Sequence, residues 1–260
     1  MPKLAANLTM LFGEVPFLDR FEVAAGAGFE AVEYLFPYDY DAGDLKARLR
    51  DHGVTQVLHN LPAGDWAAGE RGIACLPDRV DEFKAGVDRA IEYATVLGCP
   101  RVNCLAGILP PGVSPSDALE TFTRNVGYAA ARLEAAGIQL LIEPINTRDI
   151  PGFFLTGTSQ AAGVIEAAGS DNAFIQFDIY HMTIMQEDVA ATIARYLPRI
   201  AHMQLADVPG RHEPGTGDID YDQLLPFVDR SGYAGWIGCE YKPTADTIGG
   251  LGWAAKYLGR

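Results

Sequence analysis

The sequence has no long hydrophobic run and few cysteines or histidines. No stretch reaches the roughly 18 uninterrupted apolar residues that a membrane-spanning helix requires. The first residues, MPKLAAN, lack the charged and apolar regions of a signal peptide. The four cysteines form no CxxC pair and show no zinc-finger spacing, so we expect reduced and mostly buried thiols. These absences predict a cytoplasmic protein that has no membrane partner.

Basic residues are also scarce. The chain contains 20 Lys and Arg against 34 Asp and Glu, which gives a formal net charge of −14. A nucleic-acid partner or an anionic membrane would favour a basic face, so we expect neither. A small anionic substrate is compatible with this charge, because a pocket can be locally positive. No GxGxxG motif or P-loop follows the first predicted strand, so no motif supports a nucleotide-binding open sheet.

What the 260-residue chain does contain is one repeated unit, a short β-rich run followed by an amphipathic helical run. Such alternation indicates a parallel sheet. Eight units in a chain close to the ~250 residues typical of one barrel favour a closed barrel over an open doubly wound sheet. We therefore predict an α/β fold, a single (β/α)8 TIM barrel over residues 1–260. The predicted strands are 4–8, 31–35, 55–60, 101–105, 139–144, 174–178, 201–206 and 236–241, and the predicted helices are 17–27, 42–51, 79–97, 115–136, 159–168, 189–196, 221–230 and 248–258.

Polar side chains stand at the carboxyl ends of four consecutive predicted strands. These residues are Glu143, Asp178, Gln204 and Glu240. Active sites of β/α barrels lie at this end of the strands. Three carboxylates at one barrel mouth repel each other unless a cation neutralises them. Carboxylate and amide oxygens suit Mg²⁺ or Mn²⁺ better than zinc or copper, so we predict one divalent metal ion held by these four residues.

A second pair of polar residues is expected to point into the barrel. Gln176 and His202 each lie two residues before a predicted ligand, and residues two apart on a strand share one face. We hypothesise that both side chains hydrogen-bond the ligand carboxylates and so support the metal site.

Seven motifs together resemble those of a known family. They are HNLPAGDW from His59, ERGIA from Glu70, EPIN from Glu143, DIYH from Asp178, QLAD from Gln204, PGTG from Pro214 and GCEY from Gly238. The combination resembles the hydroxypyruvate isomerase family, which includes 2-oxo-tetronate isomerases and lies within the xylose-isomerase-like TIM-barrel superfamily. The resemblance covers essentially the whole chain. It implies the same four metal ligands, with Glu143 and Glu240 as the proton donor and acceptor.

The implied reaction interconverts hydroxypyruvate and tartronate semialdehyde, or a four-carbon pair, through an enediolate, and it needs no redox cofactor. Three carboxylates and one dication leave a charge of about −1 before the substrate carboxylate arrives, so a cation must reach the pocket. Arg211 is the first expectation, since a guanidinium can grip a carboxylate bidentately. Lys242 and Arg71 are the alternatives. His181 and His59 are expected to hydrogen-bond substrate oxygens.

The loop 60–78 is longer than the usual 2–6 residues for its type of connection, and it contains Trp66. We hypothesise that this loop is a lid that excludes water from the site.

Three further functions stay open. A ketose 3-epimerase is disfavoured because related epimerases usually carry histidine at the position of Gln204. A phosphate-cleaving barrel of the DNA-repair type would need more histidines than the five present, of which His52 and His212 are expected to face solvent. A non-catalytic sugar-acid-binding barrel is the third. Association through the outer helices would give a homodimer or homotetramer.

Overall fold

The computed structural model describes residues 1–259 and contains a closed barrel of eight parallel strands in chain order. The first strand pairs with both the second and the eighth, which closes the sheet and leaves no edge. All eight predicted strands are present, so the barrel prediction is confirmed. The strands are β1 (Lys3–Asn7), β2 (Ala31–Glu33), β3 (Thr55–Asn60), β4 (Arg101–Cys104), β5 (Gln139–Ile142), β6 (Ala173–Asp178), β7 (Ile200–Leu205) and β8 (Trp236–Cys239).

Helices lie between consecutive strands of the barrel. They are α1 (Arg20–Gly26), α2 (Ala42–His52), α3 (Val80–Leu97), α4 (Pro115–Glu134), α5 (Thr158–Ala168), α6 (Ile179–Ile184), α7 (Val189–Tyr196) and α8 (Tyr221–Arg230). Local chemistry sets their ends: Ser114 accepts a hydrogen bond from the Asp117 amide at the start of α4, and Gly98 ends α3 in a left-handed conformation. None of the helices within residues 1–259 is long and apolar enough to cross a membrane.

Two helical features differ from the prediction. The last predicted helix, 248–258, contains only a 3-10 helix, Gly249–Ala254, because three glycines in this short segment disfavour an α-helix. The sequence pattern also missed α6, whose single turn and a half is too short to show a helical period. This helix starts directly at the end of β6, where the Asp178 side chain accepts the Tyr180 amide and caps it.

The barrel interior changes from apolar to polar along the strands. Ala5, Ala31 and Leu141 belong to one apolar cluster of buried residues. Two residues further along the same inward faces lie Asn7, Glu33 and Glu143, all of them buried. The polar ends of all these strands therefore meet at one mouth of the barrel.

Glu33 crosses the barrel interior through a gap that a glycine provides. Its carboxylate lies over Gly238 of β8, where an added Cβ would overlap both carboxylate oxygens. It reaches His202 and Gln204 on β7, on the far side of β1 and β8. The absence of a side chain at Gly238 is thus required for this connection.

We expect the substitution Gly238→Ala to lower the free energy of unfolding by about 1–3 kcal/mol, because the new methyl group overpacks the buried Glu33 carboxylate. Gly163→Ala is the matched control, since Gly163 lies inside α5 and a Cβ added there would meet nothing within 4 Å. That change should stabilise the protein by roughly 0.5–1 kcal/mol through helix propensity. Urea unfolding measures both, and equal effects of the two substitutions would contradict the role given to Gly238.

Candidate active site

A cavity of about 730 Å³ opens at the carboxyl ends of the strands. Three of the four predicted ligands line it: Glu143 follows β5 directly, Gln204 lies near the end of β7, and Glu240 follows β8 directly. The fourth, Asp178, ends β6 and is only 1% exposed. The barrel topology therefore brings together the strand ends that the sequence singled out.

One histidine and one arginine connect the three carboxylates. The Nε2 atom of His181 lies 3.5 Å from Oδ2 of Asp178 and 4.0 Å from Oε1 of Glu143. Nη2 of Arg211 lies 2.7 Å from Oε2 of Glu240 and 3.6 Å from Oδ2 of Asp178. The guanidinium thus supplies positive charge to the two carboxylates at this side of the site.

Burial dominates the ionisation of these carboxylates. Burial and then the neighbouring Glu240 and Asp178 raise the pKa of Glu143 well above its usual value. Burial raises the pKa of Asp178 to about 6 and that of Glu240 to about 8, although the Arg211 guanidinium acts in the opposite direction on both. A dication at this point would favour the charged form of each carboxylate, because its positive charge would offset the repulsion between them.

The donor set fits a divalent metal ion. Oδ2 of Asp178 is buried and has no hydrogen-bond partner within residues 1–259. Ligand atoms of Glu143, Asp178 and His181 lie within 4.8 Å of one another. The amide of Gln204 lines the same cavity, so oxygen donors from three carboxylates and one amide are available.

The hydrogen bonds around His181 indicate that its ring is a hydrogen-bond donor toward the cavity rather than a metal ligand. Oδ1 of Asn146 accepts the backbone amides of Arg148 and Asp149, which fixes the orientation of the Asn146 side chain. Its Nδ2 then donates to Nδ1 of His181 over 2.6 Å. Nδ1 is therefore the acceptor, and Nε2 carries the proton that points toward the carboxylates and the cavity.

Polar residues on the cavity floor hold Gln204. Gln176 donates to Oε1 of Gln204 over 2.6 Å, and Nε2 of Gln204 donates to Oε1 of Glu33 over 2.7 Å. His202 pairs with Oε2 of Glu33 at 2.6 Å. The hypothesis about Gln176 and His202 was therefore wrong in its partners: Gln176 contacts the amide, and His202 contacts a carboxylate outside the predicted ligand set.

Sequence reasoning missed Glu33. The predicted strand 31–35 placed Glu33 two residues before its end, whereas the observed β2 ends at Glu33, so a correct strand boundary would have brought the strand-end argument to this residue. The tertiary contact with Gln204 could not be read from the sequence, since 171 residues separate the two.

The three predicted cations all line the cavity. Arg211 is largely buried, and its Nε has no hydrogen-bond partner within residues 1–259. Lys242 is exposed at the rim, and its backbone amide donates to the Arg211 carbonyl. Arg71 lies with its guanidinium 4.2 Å from the centre of the Trp66 ring and donates to the carbonyls of Trp66 and Glu70. Arg211 is thus the cation nearest the carboxylates.

His59 does not line the cavity, contrary to its predicted substrate contact. It pairs in register with Val102 of β4, while the next residue, Asn60, faces the cavity. Because successive side chains of a strand alternate, His59 points outward, where it packs against Tyr38. Burial lowers its pKa to about 3, which keeps the ring neutral.

The long loop after β3 forms one wall of the cavity. Trp66 and Arg71 line the cavity, and the Trp66 ring packs against Phe36 at 5.0 Å between centroids. Glu70 forms a 2.8 Å ion pair with Arg79, which fastens the loop at its far end. The loop lies beside the cavity, as a lid would. Its closure over the site stays a prediction.

Asp207 organises the loop that carries Arg211. Its two carboxylate oxygens accept the backbone amides of Val208, Gly215, Gly217 and Ile219. The side chain is fully buried. Arg211 itself has a φ of +58°, a strained conformation for a residue with a side chain, so the loop must be held from within.

A β/α barrel with buried carboxylates, a histidine and an arginine around one cavity at the strand carboxyl ends has the architecture of an enzyme active site. Comparisons with known proteins agree. The family model described as "Xylose isomerase-like TIM barrel" matches residues 21–257. Hydroxypyruvate isomerase of Escherichia coli is 52% identical over 99% of this chain and 100% of its own. A 2-oxo-tetronate isomerase of Cupriavidus necator is 48% identical over 100% of both.

A solved structure agrees as well. A Brucella melitensis protein described as "AP endonuclease, family 2" superposes with a TM-score of 0.97 at 45% identity and covers 99% of each chain. The chain belongs to the xylose isomerase-like TIM barrel family. Within that family it is an isomerase of the group that holds hydroxypyruvate isomerase and 2-oxo-tetronate isomerase, as its motifs predicted.

We expect Asp207→Ala to lower the free energy of unfolding by about 2 kcal/mol, because four backbone amides lose their acceptor. The loop should also open, so trypsin should cleave after Arg211 much faster than in the wild type. Asp218→Asn in the same loop is the control, since Asp218 is exposed. Denaturant unfolding and mass spectrometry of the digest measure both effects, and wild-type cleavage in Asp207→Ala would refute the anchoring role.

Proposed function

We propose that the protein interconverts hydroxypyruvate and tartronate semialdehyde (2-hydroxy-3-oxopropanoate) with the help of one divalent metal ion, Mg²⁺ or Mn²⁺. The observation that carries this proposal is the convergence of Glu143, Asp178, Gln204 and Glu240 on one buried site beside Arg211. We further propose a cytoplasmic location and a small hydroxy or oxo acid as the partner, with neither nucleic acid nor membrane involved.

The four strand-end residues would hold the metal ion through three carboxylates and the amide oxygen of Gln204. When bound, such an ion acts as a Lewis acid that stabilises negative charge on the substrate oxygens.

The two glutamates move the proton. One removes a proton from the hydroxyl-bearing carbon beside the substrate carbonyl, and one returns it to the former carbonyl carbon of the enediolate, while the hydroxyl proton passes to the former carbonyl oxygen so that the new carbonyl forms. Asn103 donates to Oε2 of Glu143 over 2.9 Å. Oε1 of Glu143 lies 4.0 Å from Nε2 of His181. Arg211 holds Oε2 of Glu240 at 2.7 Å. Each glutamate is therefore oriented through one oxygen, which fixes the position of the other.

Arg211 and His181 bind the substrate in this proposal. Arg211 lines the cavity, so its guanidinium is placed to bind the substrate carboxylate. The Nε2 proton of His181 is available to a substrate oxygen, and Arg71 and Lys242 add positive charge on the cavity wall and rim. Although the chain has a net charge of −14, this local positive cluster favours entry of an anion into the site.

A 2-oxo-tetronate isomerase is the second candidate, since one additional hydroxymethyl group fits easily within a 730 Å³ cavity. Glutamine at position 204 disfavours a ketose 3-epimerase. His181 alone among the five histidines lines the cavity, which disfavours the histidine-rich polynuclear site of a DNA-repair barrel. A non-catalytic binding barrel would not need two oriented glutamates. We keep a homodimer or homotetramer as a proposal.

The first test is turnover. The purified protein should isomerise hydroxypyruvate, or a 2-oxo-tetronate more rapidly if the second candidate is right. Activity should disappear after chelation and return with Mg²⁺ or Mn²⁺, because the enediolate charge then lacks its counter-ion. A coupled assay of both substrates before and after chelation measures this. Turnover of neither substrate, or full turnover without metal, would refute the proposal.

The second test addresses the glutamates. We expect Glu143→Gln and Glu240→Gln each to reduce kcat by about 10²–10⁴-fold, because an amide cannot accept the proton. Glu92→Gln, on the exposed face of α3, is the control for loss of a carboxylate elsewhere. Steady-state kinetics and circular dichroism separate catalysis from folding. Near wild-type kcat in a folded double variant would exclude both residues as acid and base.

A further inference from the structure

Glu33 is a buried carboxylate that the proposed mechanism does not use. It is 1% exposed and accepts hydrogen bonds from three side chains. Nδ2 of Asn7 and Nε2 of Gln204 lie 2.9 and 2.7 Å from Oε1, and Nε2 of His202 lies 2.6 Å from Oε2. Gly238 leaves the space that this carboxylate occupies in the barrel interior. The role of the buried carboxylate therefore has to be explained.

The reason lies in the chemistry of Gln204. A primary amide has an oxygen end and a nitrogen end of nearly the same shape, and only the oxygen binds a cation. The backbone amide of Thr9 donates to Oδ1 of Asn7, so Nδ2 of Asn7 donates to Oε1 of Glu33. This same acceptor oxygen takes the NH₂ group of Gln204. Gln176 donates to the other end, Oε1, over 2.6 Å. Glu33 therefore sets the orientation of the amide, and Gln176, whose own amide can either donate or accept, is compatible with that orientation.

We propose that Glu33 is a positioning residue that locks the Gln204 amide with its oxygen toward the metal site, and that it thereby sets metal affinity without touching the ion. The inference rests on the proposed metal ligands. Gly238 is required for this positioning, because any side chain there would displace the Glu33 carboxylate. Without Glu33 the amide could turn its NH₂ group toward the cation, which is repulsive.

The test is Mn²⁺ binding to metal-free protein, measured by electron paramagnetic resonance of the free ion. Glu33→Met keeps the length of the side chain and removes both acceptors, and we expect it to weaken binding about 10–100-fold. Glu33→Gln retains one acceptor oxygen for the Gln204 amide, so binding should stay within about threefold of the wild type.

A double-mutant cycle separates positioning from general destabilisation. Gln204→Met removes the ligand itself, so Glu33→Met should cause no further loss of Mn²⁺ affinity in that background. Wild-type affinity in Glu33→Met, or an equal loss in both backgrounds, would overturn the proposal. A wild-type protein that binds Mn²⁺ but isomerises neither acid would refute the proposed function and leave this inference intact.

A measurement on the wild-type chain avoids any folding defect in the variants. With ¹³C- and ¹⁵N-labelled glutamine, Mg²⁺ should shift the side-chain carbonyl resonance of Gln204, which Gln204→Met assigns. The Gln204 NH₂ protons should exchange far more slowly than those of the exposed Gln186. Exchange as fast as that of Gln186, or a carbonyl resonance unmoved by Mg²⁺, would equally overturn the proposal.

Discussion

Three carboxylates share a buried space at the mouth of the barrel, and their mutual repulsion is the constraint on which the site depends. Glu143, Asp178 and Glu240 are each less than one-tenth exposed, so water cannot screen their charges. The protein answers with positive charge: Arg211 reaches two of the three carboxylates. The same need for positive charge makes the site suited to a dication.

This constraint explains the architecture of the loop after β7. Arg211 must lie deep enough to meet the carboxylates, and its backbone adopts a left-handed conformation to do so. An isolated β-bridge between Asp207 and His212 does not satisfy all the backbone amides of this loop. Asp207 supplies the missing acceptors from inside the loop, and Glu213 links the loop to the segment after β8 by accepting the amide and hydroxyl of Thr244. A rigid support thus holds the cation that the carboxylates require.

The floor of the site obeys the rule that a buried polar group needs a partner. Gln204 has a donor at one end and an acceptor at the other; the Glu33 carboxylate satisfies the donor in only one orientation, and the Gln176 amide then satisfies the acceptor. The same is true of His181, whose proton position follows from Asn146 and the two backbone amides that hold Asn146 in place. Hydrogen bonds between the side chains in and beneath the cavity floor therefore determine which atoms face the cavity.

The sequence by itself determined the barrel and most of its site. Alternation of strand and helix patterns and the polar residues at strand ends are local, so Glu143, Asp178, Gln204 and Glu240 could be found without coordinates. Only the tertiary structure decided the partners of Gln204, the outward direction of His59 and the anchoring role of Asp207. These depend on strand register and on contacts between distant segments. A short pattern cannot encode them, because the partner of each group comes from elsewhere in the chain.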